Sequence, residues 1–152
     1  MQAQKTILVA EDDANDIFFL QRAFSKAHIT VDMNCVRDGD EAIQFLQSVT
    51  LDRCPFPELF FLDLKMPRVD GFEVLDWVRR QPGLRRLPIV VLTSSEEPED
   101  INRAYDLGAN SYLVKPCSHE YLGNIVECLN DYWLNLNRRP DCTVAECAQY
   151  GL

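Results

Sequence analysis

Five short apolar runs alternate with five stretches of helical periodicity, and nothing else in the chain restricts its fold so tightly. Thr6–Ala10 (TILVA) leads into a helix over Ala14–Ala27, where Ile17, Leu20, Phe24 and Ala27 recur at helical spacing. Val31–Val36 alternates polar and apolar residues as an edge strand would, and Asp38–Gly39 separates it from a helix over Asp40–Val49. Thr50–Pro57 carries two prolines and reads as a loop. The strand Leu59–Asp63 and the helix Phe72–Arg80 follow. Next come the strand Pro88–Thr93 and a helix capped by Ser95, with Pro98 in its first turn. Gly108 closes that helix and Asn110–Val114 is the fifth strand. Ser118 caps a last helix carrying Leu122, Ile125, Val126, Leu129, Trp133 and Leu136.

Strict alternation predicts an α/β fold with a parallel sheet, because parallel strands need crossover connections and those crossovers place helices on both faces. Right-handed crossovers make the sheet doubly wound, and the flavodoxin-like strand order 2-1-3-4-5 is one common outcome. The 152 residues are enough for one such domain, expected over residues 1–137 with a tail at 138–152.

In such a sheet, ligands bind beyond the carboxyl ends of the strands. The first strand ends in Glu11-Asp12-Asp13, the third in Asp63, the fourth in Thr93-Ser94-Ser95 and the fifth in Lys115-Pro116. Each residue alone has an ordinary explanation as a helix cap, a strand residue or a solvated lysine. Together they converge on one edge. Carboxylates brought that close repel one another unless a cation neutralises them. All-oxygen ligands suit a hard ion such as Mg²⁺. The same edge supplies what a phosphoryl group needs: Asp63 as nucleophile, Lys115 to pair with an oxygen and Thr93 to donate a hydrogen bond.

Composition removes other classes. A formal charge of −9 and a pI near 4.6 argue against a nucleic-acid surface, which is basic. The opening MQAQKTILVAEDD lacks the apolar run of a signal peptide, and no stretch reaches the length of a membrane span, so a cytoplasmic protein is expected. None of the six cysteines forms a CxxC, and the two histidines complete no zinc pattern. Reduced thiols are expected, with a redox role for Cys142 and Cys147 as the minor reading.

The segments ILVAEDD, FFLDLKMPRVDG, PIVVLTSS and SYLVKP resemble, in order and spacing, the signature segments of response-regulator receiver domains. The likeness covers about residues 5 to 130. It implies the receiver fold and phosphorylation of Asp63 by a phosphohistidine on a sensor histidine kinase. It implies Mg²⁺ held by Asp12, Asp63 and the backbone carbonyl of Lys65, with Glu11 acting through water. Thr93 and Tyr112 resemble the family's switch pair, and the Lys115–Pro116 bond is usually cis in such proteins. Lys65 and Ser95 stand at positions that tune dephosphorylation. Such a chain catalyses only its own phosphorylation and dephosphorylation.

Residues from Asn130 onward are too few and too little basic for a DNA-binding output, so signalling through protein contacts is expected. If Ser118–Asn137 is one α-helix, it extends about 30 Å, against about 17 Å for a five-residue strand. It would overhang the sheet and present Tyr132, Trp133, Leu134 and Leu136 as an interface. The sequence DYWLNLNRRP and the proline-bearing loop before Leu59 are similar to regulators that partner with bacterial phytochromes. Those regulators tend to form homodimers through the fourth and fifth helices and the fifth strand. A flavodoxin-like cofactor binder is disfavoured, because the first loop, EDDAND, is acidic and free of glycine. A phosphorylation-independent binding module and a small aspartyl-phosphate phosphatase remain as alternatives.

Overall fold

Side chains alternate across each central strand, and this alternation divides the core into two layers on either side of one sheet. The computed structural model describes residues 4–138 and 140. Its strands are β1 (Thr6–Ala10), β2 (Asp32–Val36), β3 (Leu59–Leu62), β4 (Ile89–Thr93) and β5 (Ser111–Val114). They pair in parallel in the order β2-β1-β3-β4-β5, as expected. The helices are α1 (Ala14–Lys26), α2 (Gly39–Thr50), α3 (Gly71–Arg80), α4 (Pro98–Asp106) and α5 (His119–Leu129).

Leu8, Phe60, Leu62, Ile89 and Val91 face one layer, with Leu46 of α2, Val74 of α3 and Ala104 of α4. Ile7, Val9, Leu59, Phe61 and Val90 face the other, with Leu20 and Phe24 of α1 and Val126 of α5. Strands β1, β3 and β4 are buried throughout, which explains their unbroken apolar runs. The edge strands β2 and β5 are only partly covered. No helix among the described residues is long and apolar enough to cross a membrane.

Asp13, Asp38, Asp70 and Ser118 each accept a backbone N–H from the turn they open, so α1, α2, α3 and α5 begin where their sequence signals lie. Helix α4 differs from expectation. Glu97 occupies its cap position without a side-chain bond, and Pro98 opens the first turn. Proline brings no N–H of its own to satisfy, so a side-chain cap has less to do there. The Ser95 hydroxyl instead donates to Asp100 Oδ2 (2.5 Å) and accepts from Glu97 N (3.3 Å).

At the edge of the sheet away from the polar strand ends, Arg79 ties three segments together. Its Nε and one Nη donate to Gly108 O (2.9 and 2.7 Å). Its remaining N–H groups reach Arg85 O (2.9 Å), Leu87 O (2.7 Å) and Asn110 Oδ1 (3.0 Å). Gly108 makes room for this. Its φ of +104° lies in the left-handed region, and a Cβ there would sit 2.8 Å from Arg79 Nε.

The last helix departs from the uniform α-helix of the sequence reading. After Leu129 it widens to a π-helix over Asn130–Leu136, with Asn137 N donating to Tyr132 O at 2.6 Å. The wider turn changes which residues face inward. Leu134 is buried and Trp133 packs against the α1–α5 layer, while Tyr132 is 52% and Leu136 71% exposed. Trp133 and Leu134 therefore return to their own domain rather than riding on an overhang, because burial there removes large apolar surface from water. Tyr132 and Leu136 remain outward. Cys35, Cys54, Cys117 and Cys128 are free thiols. The Cys142–Cys147 pair, and the expected tail apart from Arg138 and Pro140, lie outside the described residues.

Candidate functional site

The strand ladder runs one residue past the strands and fixes the reactive side chains by their backbones. Glu11 N donates to Val36 O (3.0 Å), Asp63 N to Ala10 O (3.1 Å) and Lys115 N to Thr93 O (2.7 Å). Glu11, Asp63 and Thr93 are buried as a result, although a carboxylate at a sheet end has no packing reason to be. A close approach from α3 holds Asp63 further. A Cβ on Gly71 would lie 2.3 Å from Asp63 O and 2.6 Å from the Leu64 Cα, so only glycine lets that helix start against the Asp63 backbone.

Carboxylate oxygens of Glu11, Asp12 and Asp63 lie within 4.8 Å of one another. Lys115 Nζ sits among them, 2.5 Å from Glu11, 2.8 Å from Asp16 and 3.2 Å from Asp63. Burial raises the Glu11 carboxyl to about 7, although the hydrogen bond from Lys115 pulls it down. Burial opposes the charge on Lys115, but hydrogen bonds to Asp16 and Glu11 outweigh it and raise the ammonium above its ordinary value. One ammonium thus meets three carboxylates, with Asp12 beside two of them, a grouping of acidic oxygens that a divalent cation would balance. The donors are all oxygen, and they fit a hard ion.

Two more observations fit an incoming anionic group. Thr93 Oγ1 is the buried side-chain polar atom without a hydrogen-bond partner among the described residues. An orphan of this kind costs about 1–3 kcal/mol until an acceptor arrives. Lys65 N donates to Asp63 Oδ1 at 3.3 Å, with its side chain exposed. Beside Asp63 and Lys115 a cavity of about 240 Å³ opens between α1 and the β5–α5 turn, walled by Phe61, Leu92 and Leu122. Glu11, Asp16, Asp63 and Lys115 all line this cavity.

Tyr112 is half-buried on β5, and its hydroxyl donates to Ser95 O at 2.9 Å. Burial chiefly raises its phenol, with Asp100 and Asp63 adding to the shift and the Ser95 hydrogen bond opposing it. The Lys115–Pro116 bond is trans, unlike the cis bond that the resemblance implied. Trans is the ground state of such a bond by about 0.5–1 kcal/mol, and Lys115 reaches all its carboxylates from it. The structure also brings in Asp16, which is not among the residues at the strand ends. It lies in the first turn of α1, three residues after the Asp13 cap, where an acidic residue reads simply as a partner of the helix dipole.

A doubly wound parallel sheet brings an acidic trio, a hydroxyl and an ammonium to its carboxyl edge, a set of groups that fits a hard cation beside an anionic group. Comparison with known proteins specifies the class. The family model for the response regulator receiver domain matches residues 7–127. The chain is 40% identical over 134 residues to the probable methanogenesis regulatory protein FilR2 of Methanothrix harundinacea, covering 88% of this chain and 86% of the relative. It is 36% identical over 137 residues to response regulator Rcp1 of Synechocystis, covering 90% and 93%. Among solved structures, the phosphorylated cyanobacterial phytochrome response regulator RcpA superposes with a TM-score of 0.84 at 35% identity, covering 91% of this chain and all of that one (100%). The Mn²⁺-bound form of Rcp1 superposes with a TM-score of 0.80 at 35% identity, covering 90% and 99%. The chain belongs to the response-regulator receiver family.

Proposed function

We propose that Asp63 accepts a phosphoryl group from a phosphohistidine of a sensor histidine kinase and that the chain signals through protein contacts. An Asp63 carboxylate oxygen attacks phosphorus, the P–N bond to the imidazole breaks, a P–O bond forms, and the departing imidazole takes up a proton. Asp12, Asp63 and the Lys65 carbonyl, with Glu11 through water, would hold Mg²⁺, which would supply charge neutralisation at the phosphoryl oxygens. Lys115 pairs with one of those oxygens and Thr93 donates its hydroxyl to another. Thr93 and Tyr112 form the switch pair. Tyr112 rests on the Ser95 carbonyl in the present structure.

The observation that carries this reading is the unpartnered, buried Thr93 hydroxyl on the strand next to Asp63. Likeness to Rcp1 and to the phytochrome regulator RcpA supports a phytochrome-type kinase as partner. Exposed Tyr132 and Leu136 and the half-covered β5 edge support a homodimer. The net charge of −9 supports a protein that does not bind nucleic acid, and a cytoplasmic protein away from the membrane is part of the same proposal.

Intact mass after incubation with acetyl phosphate tests the proposal, with Mg²⁺ or EDTA and with Asp63→Asn as control. A Mg²⁺-dependent gain of one phosphoryl group, absent from the variant, is expected. The same gain in the variant would overturn Asp63 as acceptor. No gain under any condition, from acetyl phosphate or from a phosphorylated kinase, would leave a binding module of the same shape.

A further inference from the structure

Lys115 has three N–H donors and three carboxylate partners, and the partners are not equivalent. Glu11 and Asp63 belong to the trio whose oxygens could hold a cation. Asp16 does not. It reaches Lys115 from the first turn of α1 at 2.8 Å, with its side chain 39% exposed. A divalent ion entering the trio claims Glu11 and Asp63 and repels the nearby ammonium. Asp16 is then the remaining anion within the ammonium's reach.

We infer that Asp16 is a positioning residue that keeps Lys115 beside Asp63 while the cation occupies its other two partners. The inference rests on the cation site proposed above. Its content is a division of labour among four carboxylates: three serve the metal, and one serves the lysine. Removing the Asp16 charge leaves Lys115 with only the oxygens the metal needs. The ammonium then competes directly for Glu11, and cation binding weakens even though Asp16 touches no cation.

Charge alone offers a rival explanation, and Asp13 separates the two. Asp13 is exposed at the start of the same helix, and its side chain accepts from Asn15 N at 2.8 Å. Asparagine keeps that cap while removing one charge from the same end of the helix, at a residue that makes no ion pair with Lys115. Mn²⁺ binding is measured by the electron paramagnetic resonance of free ion, for wild type, D16N, D16E and D13N. D16N is expected to bind about tenfold more weakly than wild type, and D13N only about twofold. D16E regains near-wild-type affinity, because the longer carboxylate still reaches Lys115 from a half-exposed position. A second readout follows the ¹⁵N ammonium signal of Lys115 on adding Mg²⁺: it persists in wild type and broadens by exchange with water in D16N. Equal losses in D16N and D13N, or wild-type affinity in D16N, would overturn the role of Asp16. Absence of Mn²⁺ binding by wild type would overturn the cation site itself, and the competition with it.

Discussion

Two half-buried cations sit at opposite edges of the same sheet, and their partners differ in kind. Arg79 donates all five N–H groups to neutral oxygens, four times to backbone carbonyls and once to Asn110. Lys115 meets three carboxylates with a fourth close by. The first arrangement is complete. Every donor is used, the acceptors carry no charge, and nothing further is called for. The second carries surplus negative charge and stands near an unpartnered hydroxyl on Thr93. A saturated cation fixes loops in place, whereas an outnumbered one marks where a ligand belongs.

The sharpest break between the two edges is chemical. Asp63→Asn should abolish phosphoryl acceptance while leaving the far-UV circular dichroism unchanged, and retained labelling in that variant would remove the functional edge from the comparison. Arg79→Ala should cost about 3 kcal/mol in urea unfolding, because it takes the guanidinium donors from three backbone carbonyls, those of Arg85, Leu87 and Gly108. That loss should be the same in EDTA and in Mg²⁺. Lys115→Met should cost about 2 kcal/mol in EDTA, since it leaves buried carboxylates unpaired. Mg²⁺ should recover most of it by occupying the same oxygens. A Lys115 defect that Mg²⁺ cannot mend would make both cations structural and erase the contrast.

The smallest effects concern the helix end. Leu136→Asp should weaken self-association several-fold in a sedimentation concentration series while leaving the melting temperature within about 2 °C, as a surface change does. Trp133→Ala should do the reverse and lower the melting temperature, because its ring is packed inward. An unchanged sedimentation profile for Leu136→Asp would take the outward face out of consideration as an interface.

The functional edge was far more legible in the sequence than the structural one. Asp63, Thr93 and Lys115 each follow an apolar run directly, so strand periodicity alone delivers them to one place. The Arg79 staple joins residues up to 31 positions apart, and no local period reports it. Asp16 lies between these extremes, since an acidic residue in the first turn of α1 is already accounted for by the helix dipole. Ser95 satisfies the cap pattern in sequence, two residues before Glu97, but its hydroxyl is committed to Asp100. The π-helical end was illegible for a different reason. Its apolar spacing continues that of α5, and only the packing of Trp133 and Leu134 onto the domain distinguishes the wider turn.

The half-covered edge strand β5 has a bearing on how safely such a switch can be kept at high concentration. An open sheet edge invites a sixth strand from another chain, the first step towards aggregation. Here the edge is only four residues long and is followed at once by Lys115 and Pro116. A short strand, a charge and a proline lacking an N–H together deny the regular template that strand addition requires. Copies that meet on this side must do so through side chains and helix faces, contacts that can be made and undone without disturbing the sheet.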